Sequence, residues 1–296
     1  MESVKDLVIG AFNNYTNFNV LKPWVRSIKQ TGFDGDIVLI AIDTSDEMVE
    51  RLEAEGITVL RYTKTNDMRI HMLRFIYIYN YLRDNHKKYR YVISTDVRDV
   101  IFQLNPSFFL EKNLLASDFY SMVASSESIL IKDEKWNREN IFKNFGQYFY
   151  DEVKDREVCN VGILAGRPRS VMDMCFYLYQ MSLGRPDWVA DQAVYNILLN
   201  KLPWNQKVLT TNLSYAWALN AHVTNKPDQL DEFGPFLLEK RPFMDTDGLV
   251  KNSNNQTFSI VHQYDRVPEW TQVINKKYGV DDVEENTPKY FVYKPI

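Results

Sequence analysis

Short apolar runs alternate with helix-periodic segments through the first hundred residues of the chain. The apolar runs predict buried strands, because strands of a parallel sheet are covered on both faces; they lie at residues 7–12, 37–42, 57–62 and 91–95. Apolar residues three or four positions apart predict the intervening helices, at residues 21–29, 46–55 and 66–84. Alternating strands and helices predict a mostly parallel sheet with right-handed crossovers, which is a Rossmann-like arrangement.

The pattern is less regular after residue 102. It predicts strands at residues 118–124 and 158–165, helices at 170–183 and 191–199, and a polar, aromatic helix or loop at 132–155. Short strands and loops follow from residue 202 onward. We therefore expect an α/β protein with one domain over residues 1–296, made of a Rossmann-like half (1–104), an α+β half (105–280) and a tail (281–296).

Composition and charge argue against several classes of function. Hydrophobic residues make up 45% and charged residues 25% of the chain, as in soluble globular proteins. The net charge of −4 argues against nucleic-acid binding, which normally needs a basic face. Cys159 and Cys175 form neither a CxxC pair nor a zinc pattern, and we expect two buried thiols. With no apolar leader and no apolar run long enough to span a membrane, we expect a cytoplasmic protein.

Candidate chemistry begins where the fourth predicted strand ends. Asp96, Arg98 and Asp99 directly follow the apolar run at 91–95. Ligands bind at the carboxyl ends of strands in open α/β sheets, and acids there can hold a divalent cation that in turn holds a phosphate. Residues at odd spacing on a strand face opposite sides, so Asp96 and Asp99 converge only if the chain turns between them. Taken alone, the two acids are equally consistent with a strand-end turn and a surface ion pair.

Three later features follow in order: Asn160-Val161-Gly162, Asp191-Gln192 and His262. Together with the strand-end acids, this order resembles glycogenin and its relatives among the GT-A nucleotide-sugar glycosyltransferases. The resemblance extends over about residues 7–266, through short motifs only, and the metal motif is modified because the first acid of a strict DxD is missing. The opening Ala11-Phe12-Asn13-Asn14 also resembles the first-strand loop of that family.

The resemblance implies a GT-A-like fold in which residues 1–104 bind the nucleotide and residues 105–280 complete the metal shell and supply the acceptor site. It implies a hexosyl- or deoxyhexosyltransferase that takes a sugar from a nucleotide diphosphate, with UDP-sugars expected, and retains the anomeric configuration. The implied metal ligands are Asp96, Asp99 and His262, with Asp96 direct and Asp99 either acting through water or paired with an arginine. Imidazole favours Mn²⁺ over Mg²⁺.

The same resemblance places Asp191, Asn160 and Gln192 beside the reacting carbon and the sugar. The residues expected to bind the donor are Ala11, Phe12, Asn13, Asn14, Arg69, Arg74, Thr95, Arg98 and Gly162. Arg69 and Arg74 are included because a guanidinium on the preceding helix can grip phosphate oxygens in a bidentate manner. The acceptor, whether glycan, protein or small molecule, is left open.

Each of these residues also has a structural interpretation. Asp191 alone is a good helix N-cap, and His262 alone is more often a hydrogen-bonded structural histidine. Asn160 and Gly162 are compatible with a strand bulge, and Arg69 and Arg74 with the solvated face of a helix.

Three other functions are alternatives, and the sequence argues against the first two of them. A nucleotidyltransferase usually has a Gly-rich basic loop after the first strand, but residues 11–19 contain neither glycine nor lysine. A phosphatase of the haloacid dehalogenase type needs an acid where Arg98 stands. A non-catalytic nucleotide- or carbohydrate-binding protein would show the loss of the first DxD acid that is seen here.

Overall fold

The computed structural model describes residues 4–64, 68–115, 117, 119–187 and 189–280. Its strands are β1 (Lys5–Asn13), β2 (Asp36–Ile42), β3 (Thr58–Tyr62), β4 (Tyr89–Thr95), β5 (Val100–Phe102), β6 (Met122–Leu130), β7 (Glu157–Cys159), β8 (Ile163–Gly166), β9 (Val208–Thr211), β10 (Ala218–Asn220), β11 (Phe243–Met244), β12 (Val250–Lys251) and β13 (Ile260–His262). Its helices are α1 (Lys22–Gln30), α2 (Asp46–Ala54), α3 (Ile70–Asn85), α4 (Pro106–Leu110), α5 (Lys135–Val153), α6 (Pro168–Ser182), α7 (Asp191–Leu199), α8 (Trp204–Lys207), α9 (Ala221–Asn225), α10 (Pro227–Phe233) and α11 (Pro268–Tyr278).

A central sheet has the strand order β3-β2-β1-β4-β8-β6-β7, and β9 pairs with β6. Strands β3, β2, β1 and β4 are parallel to one another, and β9 is parallel to β6. Strand β8 runs antiparallel to both β4 and β6. The mostly parallel sheet predicted from the apolar runs is therefore confirmed, and a reversed strand extends it into the second half of the chain.

The four strands and three helices predicted for the first half are present, with shifted ends. Ser45 caps α2 by accepting a hydrogen bond from the Met48 backbone N–H. The helix predicted at 66–84 begins at Ile70, and residues 65–67 lie outside the described residues. Residues 281–296, the predicted tail, also lie outside them.

Two predictions for the second half are corrected. The strand expected at 158–165 is two strands, because the chain leaves β6 after Cys159 and joins β4 from Ile163 onward. The strand expected at 118–124 begins only at Met122 and continues to Leu130, and residue 118 lies outside the described residues. Residues 132–155 contain the helix α5, which is kinked at Gly146 where φ is 79°.

A second, three-stranded sheet has the order β10-β13-β5. Strand β13 is parallel to β10 and antiparallel to β5. Only the turn at residues 96–99 separates β4 in the large sheet from β5 in the small one, so the two sheets meet at the strand-end acids.

Hydrophobic clusters cover both faces of the large sheet. One cluster contains Trp24, Ile93 and Phe102, and the other contains Ile9, Phe75 and Val92. Cys159 and Cys175 are buried free thiols, as predicted. None of the helices in the described part of the chain is both long and apolar enough to cross a membrane.

Candidate functional site

The turn required for Asp96 and Asp99 to converge is present between β4 and β5. The backbone N–H of Asp96 donates to the Gly162 carbonyl at 2.8 Å, and the N–H of Gln263 donates to the Asp99 carbonyl at 2.7 Å. These bonds hold the two ends of the turn against β8 and the end of β13. Both carboxylates therefore face the same point, although their spacing on an extended strand would have separated them.

The antiparallel pairing of β5 and β13 brings His262 to the same point. His262 lies opposite Val100, the residue after Asp99. Its Nε2 lies 3.4 Å from Asp96 Oδ2 and 3.6 Å from Asp99 Oδ1. The potential ligand atoms of the three residues all lie within 4.8 Å of one another. The structure thus brings together the three residues expected as metal ligands.

Arginines neutralise the buried part of this cluster. Arg98 and Arg266 lie 3.2 Å and 3.4 Å from Asp99 Oδ2. Burial alone would raise the pKa of Asp99, but His262, Arg98 and Arg266 together lower it to about 2. Asp99 is therefore ionised at neutral pH. Its expected pairing with an arginine is observed with Arg98.

His262 is buried between the acids and Asn220. Burial lowers its pKa, against the opposing effect of the Asp99 carboxylate. Its Nδ1 lies 3.0 Å from Asn220 Oδ1 in a buried hydrogen bond. A neutral imidazole can ligate a cation through the ring nitrogen that carries no proton. Since Nδ1 bonds to Asn220, Nε2 is the nitrogen that faces the acids and is available as a ligand.

Arg74 joins two acids rather than forming part of a solvated helix face. From α3 it contacts Asp96 and lies 3.3 Å from Asp191 Oδ2, and its side chain is only 10% exposed. The N-cap of α7 is Ala190 and Asp191 is the first residue inside the helix, so the N-cap interpretation of Asp191 is wrong. Asp191 Oδ1 and Arg74 Nε are buried and have no hydrogen-bond partner among the described residues. Arg69 is exposed and lies outside the cleft.

Gly162 allows β8 to lie close to the acids and His262. A Cβ atom built there would lie 2.5 Å from His262 Cε1 and 3.0 Å from Asp96 Oδ2. Any side chain would therefore have to displace one of these groups. The Gly162 N–H also donates a hydrogen bond to Asn160 Oδ1 at 2.8 Å, which fixes the amide of that side chain.

Asn160 and Gln192 meet at a buried carboxylate that the sequence analysis missed. Glu127, on β6, accepts hydrogen bonds from Asn160 Nδ2 at 2.6 Å and Gln192 Nε2 at 3.4 Å. Burial raises the pKa of Glu127 to about 7, although both amides oppose the shift. The available signal was an acid inside an otherwise apolar and small-residue run, just beyond the predicted strand at 118–124.

A cleft of about 180 Å³ opens beside the acids. Eight of the predicted site residues line it: Ala11, Phe12, Asn13, Arg74, Asp96, Arg98, Asp99 and His262. The other lining residues were not predicted: Tyr15, Ile70, His71, Val97, Gln263 and Arg266. The ring of Tyr15 stacks on Phe12 with centroids 5.8 Å apart.

Besides Arg69, three more of the residues predicted to bind the donor do not line the cleft. The Thr95 hydroxyl accepts a hydrogen bond from Trp24 Nε1 at 2.8 Å and is buried behind the acids. Asn14 is exposed, with φ of 53°, and does not line the cleft. Gly162 lies deeper than the cleft wall, and so do three of the other predicted site residues: Asn160, Asp191 and Gln192. Asp191 borders Arg74, Gln192 borders Glu127, and Gly162 borders Asp96.

No family model matches the chain, and no curated protein matches its sequence. Solved structures do match, and one of them is the apo structure of the bifunctional glycosyltransferase WbbM. That match has a TM-score of 0.58 and 13% sequence identity, and it covers 94% of this chain and 51% of WbbM. The chain thus spans about half the length of that protein. The likeness shows that the chain has a glycosyltransferase-like, mixed α/β Rossmann fold.

Proposed function

We propose that this protein is a metal-dependent GT-A glycosyltransferase that moves a sugar from a nucleotide diphosphate donor, with a UDP-sugar expected, to an acceptor hydroxyl. The observation that carries the proposal is the group of Asp96, Asp99 and His262 at the carboxyl edge of the parallel strands. The group borders a cleft on a glycosyltransferase-like fold.

The side chains present fit a divalent cation. Two carboxylates and one imidazole are a donor set that suits Mn²⁺, and Mg²⁺ to a lesser degree. The Asp96 side chain is 31% exposed whereas that of Asp99 is 7% exposed, so access is through Asp96. A cation held there would neutralise the charge that develops on a diphosphate leaving group.

Several side chains are placed to bind the rest of the donor. Arg74 lines the cleft and can contact a phosphate or sugar oxygen of the donor, while Asp191 holds its guanidinium from a buried position. The stacked pair of Phe12 and Tyr15 offers an aromatic surface for a nucleobase. Arg98 and Arg266, at the cleft wall, provide positive charge near the diphosphate.

In the proposed reaction the bond between the sugar anomeric carbon and the diphosphate oxygen breaks, and its electron pair leaves with the nucleoside diphosphate. The acceptor oxygen bonds to the anomeric carbon and its proton is lost. Attack from the face of the leaving group would retain the anomeric configuration, and the departing phosphate oxygen would then receive that proton. Asn160 and Gln192 both bond to Glu127, deeper than the cleft wall.

The test is release of free nucleoside diphosphate from a panel of UDP-, GDP- and dTDP-sugars, with Mn²⁺ and then with EDTA. We expect slow hydrolysis of one donor that EDTA abolishes. Asp96→Asn should lower this rate by at least about 100-fold, since even outer partners of a metal site are worth about 10–100-fold. Asp173→Asn, on the exposed side of α6, is the matched control and should behave like the wild type.

Other outcomes identify the alternatives. Release of inorganic pyrophosphate from a nucleoside triphosphate would indicate a nucleotidyltransferase. Donor binding without turnover would indicate a non-catalytic binding protein. Neither hydrolysis nor a donor-induced thermal shift with any donor would overturn the nucleotide-sugar proposal.

A further inference from the structure

We propose that Asn220 is a positioning residue that holds the His262 imidazole with the Nε2 lone pair directed at Asp96 and Asp99, and that Ser125 holds Asn220. The inference rests on the proposed metal-dependent function and names residues that neither the motifs nor the cleft lining include. The inference concerns which ring nitrogen of His262 carries the proton. Only a ring with its proton on Nδ1 can ligate a cation through Nε2.

The strand pairing places Asn220 beside His262. Strands β10 and β13 are parallel, and Asn220 lies in register with His262. Asn220 Oδ1 is 3.0 Å from His262 Nδ1, and the two residues are 0% and 2% exposed. At this burial water cannot replace the bond, so the amide determines what Nδ1 does.

The second ring nitrogen is in a different situation. Its distances of 3.4 Å and 3.6 Å from the Asp96 and Asp99 carboxylates are longer than an ordinary N–H···O bond of about 2.7–3.2 Å. A neutral imidazole carries one N–H. With that N–H on Nδ1 and donated to Asn220, Nε2 keeps its lone pair and can ligate a cation together with the two carboxylates. With the N–H on Nε2, the histidine would instead be a hydrogen-bond donor to those carboxylates.

Ser125 is the partner of the other end of the amide. Asn220 Nδ2 donates to Ser125 Oγ at 3.3 Å, which leaves Oδ1 for His262. Ser125 lies on β6, and its carbonyl accepts from the Asn160 N–H at 3.1 Å. The contact therefore ties the small sheet, which carries His262, to the large sheet, which carries Asp96 and Asn160. Metal-binding histidines generally have such a partner on the other ring nitrogen, and its loss costs about 10–100-fold in metal affinity.

The test measures Mn²⁺ affinity by electron paramagnetic resonance of free Mn²⁺, without any donor or turnover. Asn220→Leu should weaken binding by about 10–100-fold, because Nδ1–H loses its acceptor. Asn220→Asp keeps an acceptor at the same place and should bind within a few-fold of the wild type. Asn252→Leu is the matched control: Asn252 is also buried, but its amide bonds to the Leu213 carbonyl and to Gln256, so this variant should leave the affinity unchanged.

A second measurement determines the tautomer of His262 in the wild type itself. In ¹⁵N-histidine-labelled wild type, long-range ¹H–¹⁵N correlations of the four imidazoles should show Nδ1–H for the ring that is missing in His262→Ala. Two results would overturn the inference while leaving the proposed function intact. One is a His262 ring that carries its proton on Nε2. The other is an Asn220→Leu protein that is folded by circular dichroism and binds Mn²⁺ like the wild type. A wild type that binds no Mn²⁺ would overturn the proposed function, and the inference with it.

Discussion

At the residue scale, Glu127 is the most unusual group near the site. It is a buried carboxylate whose hydrogen-bond partners given by the structure are neutral amides, those of Asn160 and Gln192. Burying a charge without an opposite charge is costly, so the native state favours the protonated form. This is the physical reason why burial raises the pKa of Glu127 to about 7, from an ordinary value of 4.5.

We predict that Glu127→Gln becomes more stable relative to the wild type as the pH rises. Between about pH 4.5 and pH 7 the native Glu127 keeps a proton that the unfolded chain loses, so the wild type loses stability through this window. Glutamine does not titrate and keeps the amide contacts. The difference in unfolding free energy should therefore change in favour of the variant by up to about 3 kcal/mol. Urea unfolding of both proteins at pH 5, 6, 7 and 8 measures this, and parallel pH profiles would contradict it.

At the scale of the elements, α1 connects the two sheets behind the acids. Trp24 Nε1 donates to the Thr95 hydroxyl on β4 at 2.8 Å, and Ser27 Oγ accepts from the Phe102 N–H on β5 at 3.0 Å. The Trp24 ring also packs edge-on against Phe102. One helix therefore sets the positions of both strands that flank the turn at residues 96–99.

We predict that Trp24→Phe and Thr95→Val destabilise the protein non-additively. Each change leaves a buried polar partner without its hydrogen bond and should cost about 1–3 kcal/mol, with Trp24→Phe at the upper end because it also removes ring volume. The double variant should cost less than the sum by about 1 kcal/mol, because the pair shares one bond. Denaturant unfolding of the four proteins measures the coupling.

The control for this cycle is Ser45→Ala, which removes the cap of α2 and involves neither partner of the shared bond. Its cost, about 1 kcal/mol, should add to that of Thr95→Val within about 0.5 kcal/mol. Full additivity of Trp24→Phe with Thr95→Val would show that the Trp24–Thr95 bond contributes nothing to holding the turn.

At the scale of the whole molecule, two antiparallel pairings join the sequence halves 1–104 and 105–280. Strand β4 of the first half pairs with β8, and β5 pairs with β13. The same hydrophobic cluster contains Trp24 from the first half and Trp217 and Ile260 from the second. The clusters that pack on the strands of the first half are therefore completed by residues of the second half.

We predict that the full chain unfolds in one calorimetric transition and that a fragment of residues 1–104 does not fold alone. In that fragment β4 would become an open sheet edge, and Trp24 would lose the apolar groups that cover it. Calorimetry of the full chain and a ¹H–¹⁵N correlation spectrum of the fragment measure this. A fragment spectrum with the dispersion of a folded protein would show that the first half is an independent domain.

Much of the fold follows from the chain alone. The apolar runs of the first half are rich in β-branched residues and separated by helix-periodic segments, so both the strands and their parallel arrangement could be predicted. The pattern at 158–165 was misleading, because Asn160 and Gly162 lie where the chain passes from one strand partner to another. The spacing of apolar residues indicates which residues are buried but not which strand they pair with, so the two strands were predicted as one.

The sequence by itself also determined which residue types are available to the site: strand-end acids, a late histidine, an Asn-x-Gly and an Asp-Gln. The tertiary structure decided their relations. Asp96 and Asp99 converge because of a turn held by β8 and β13, and Arg74 and Asp191 meet although 117 positions separate them. Glu127 and Asn220 matter through partners that other strands supply. Contacts of this kind depend on which elements pack together, and no local pattern of residues encodes that packing.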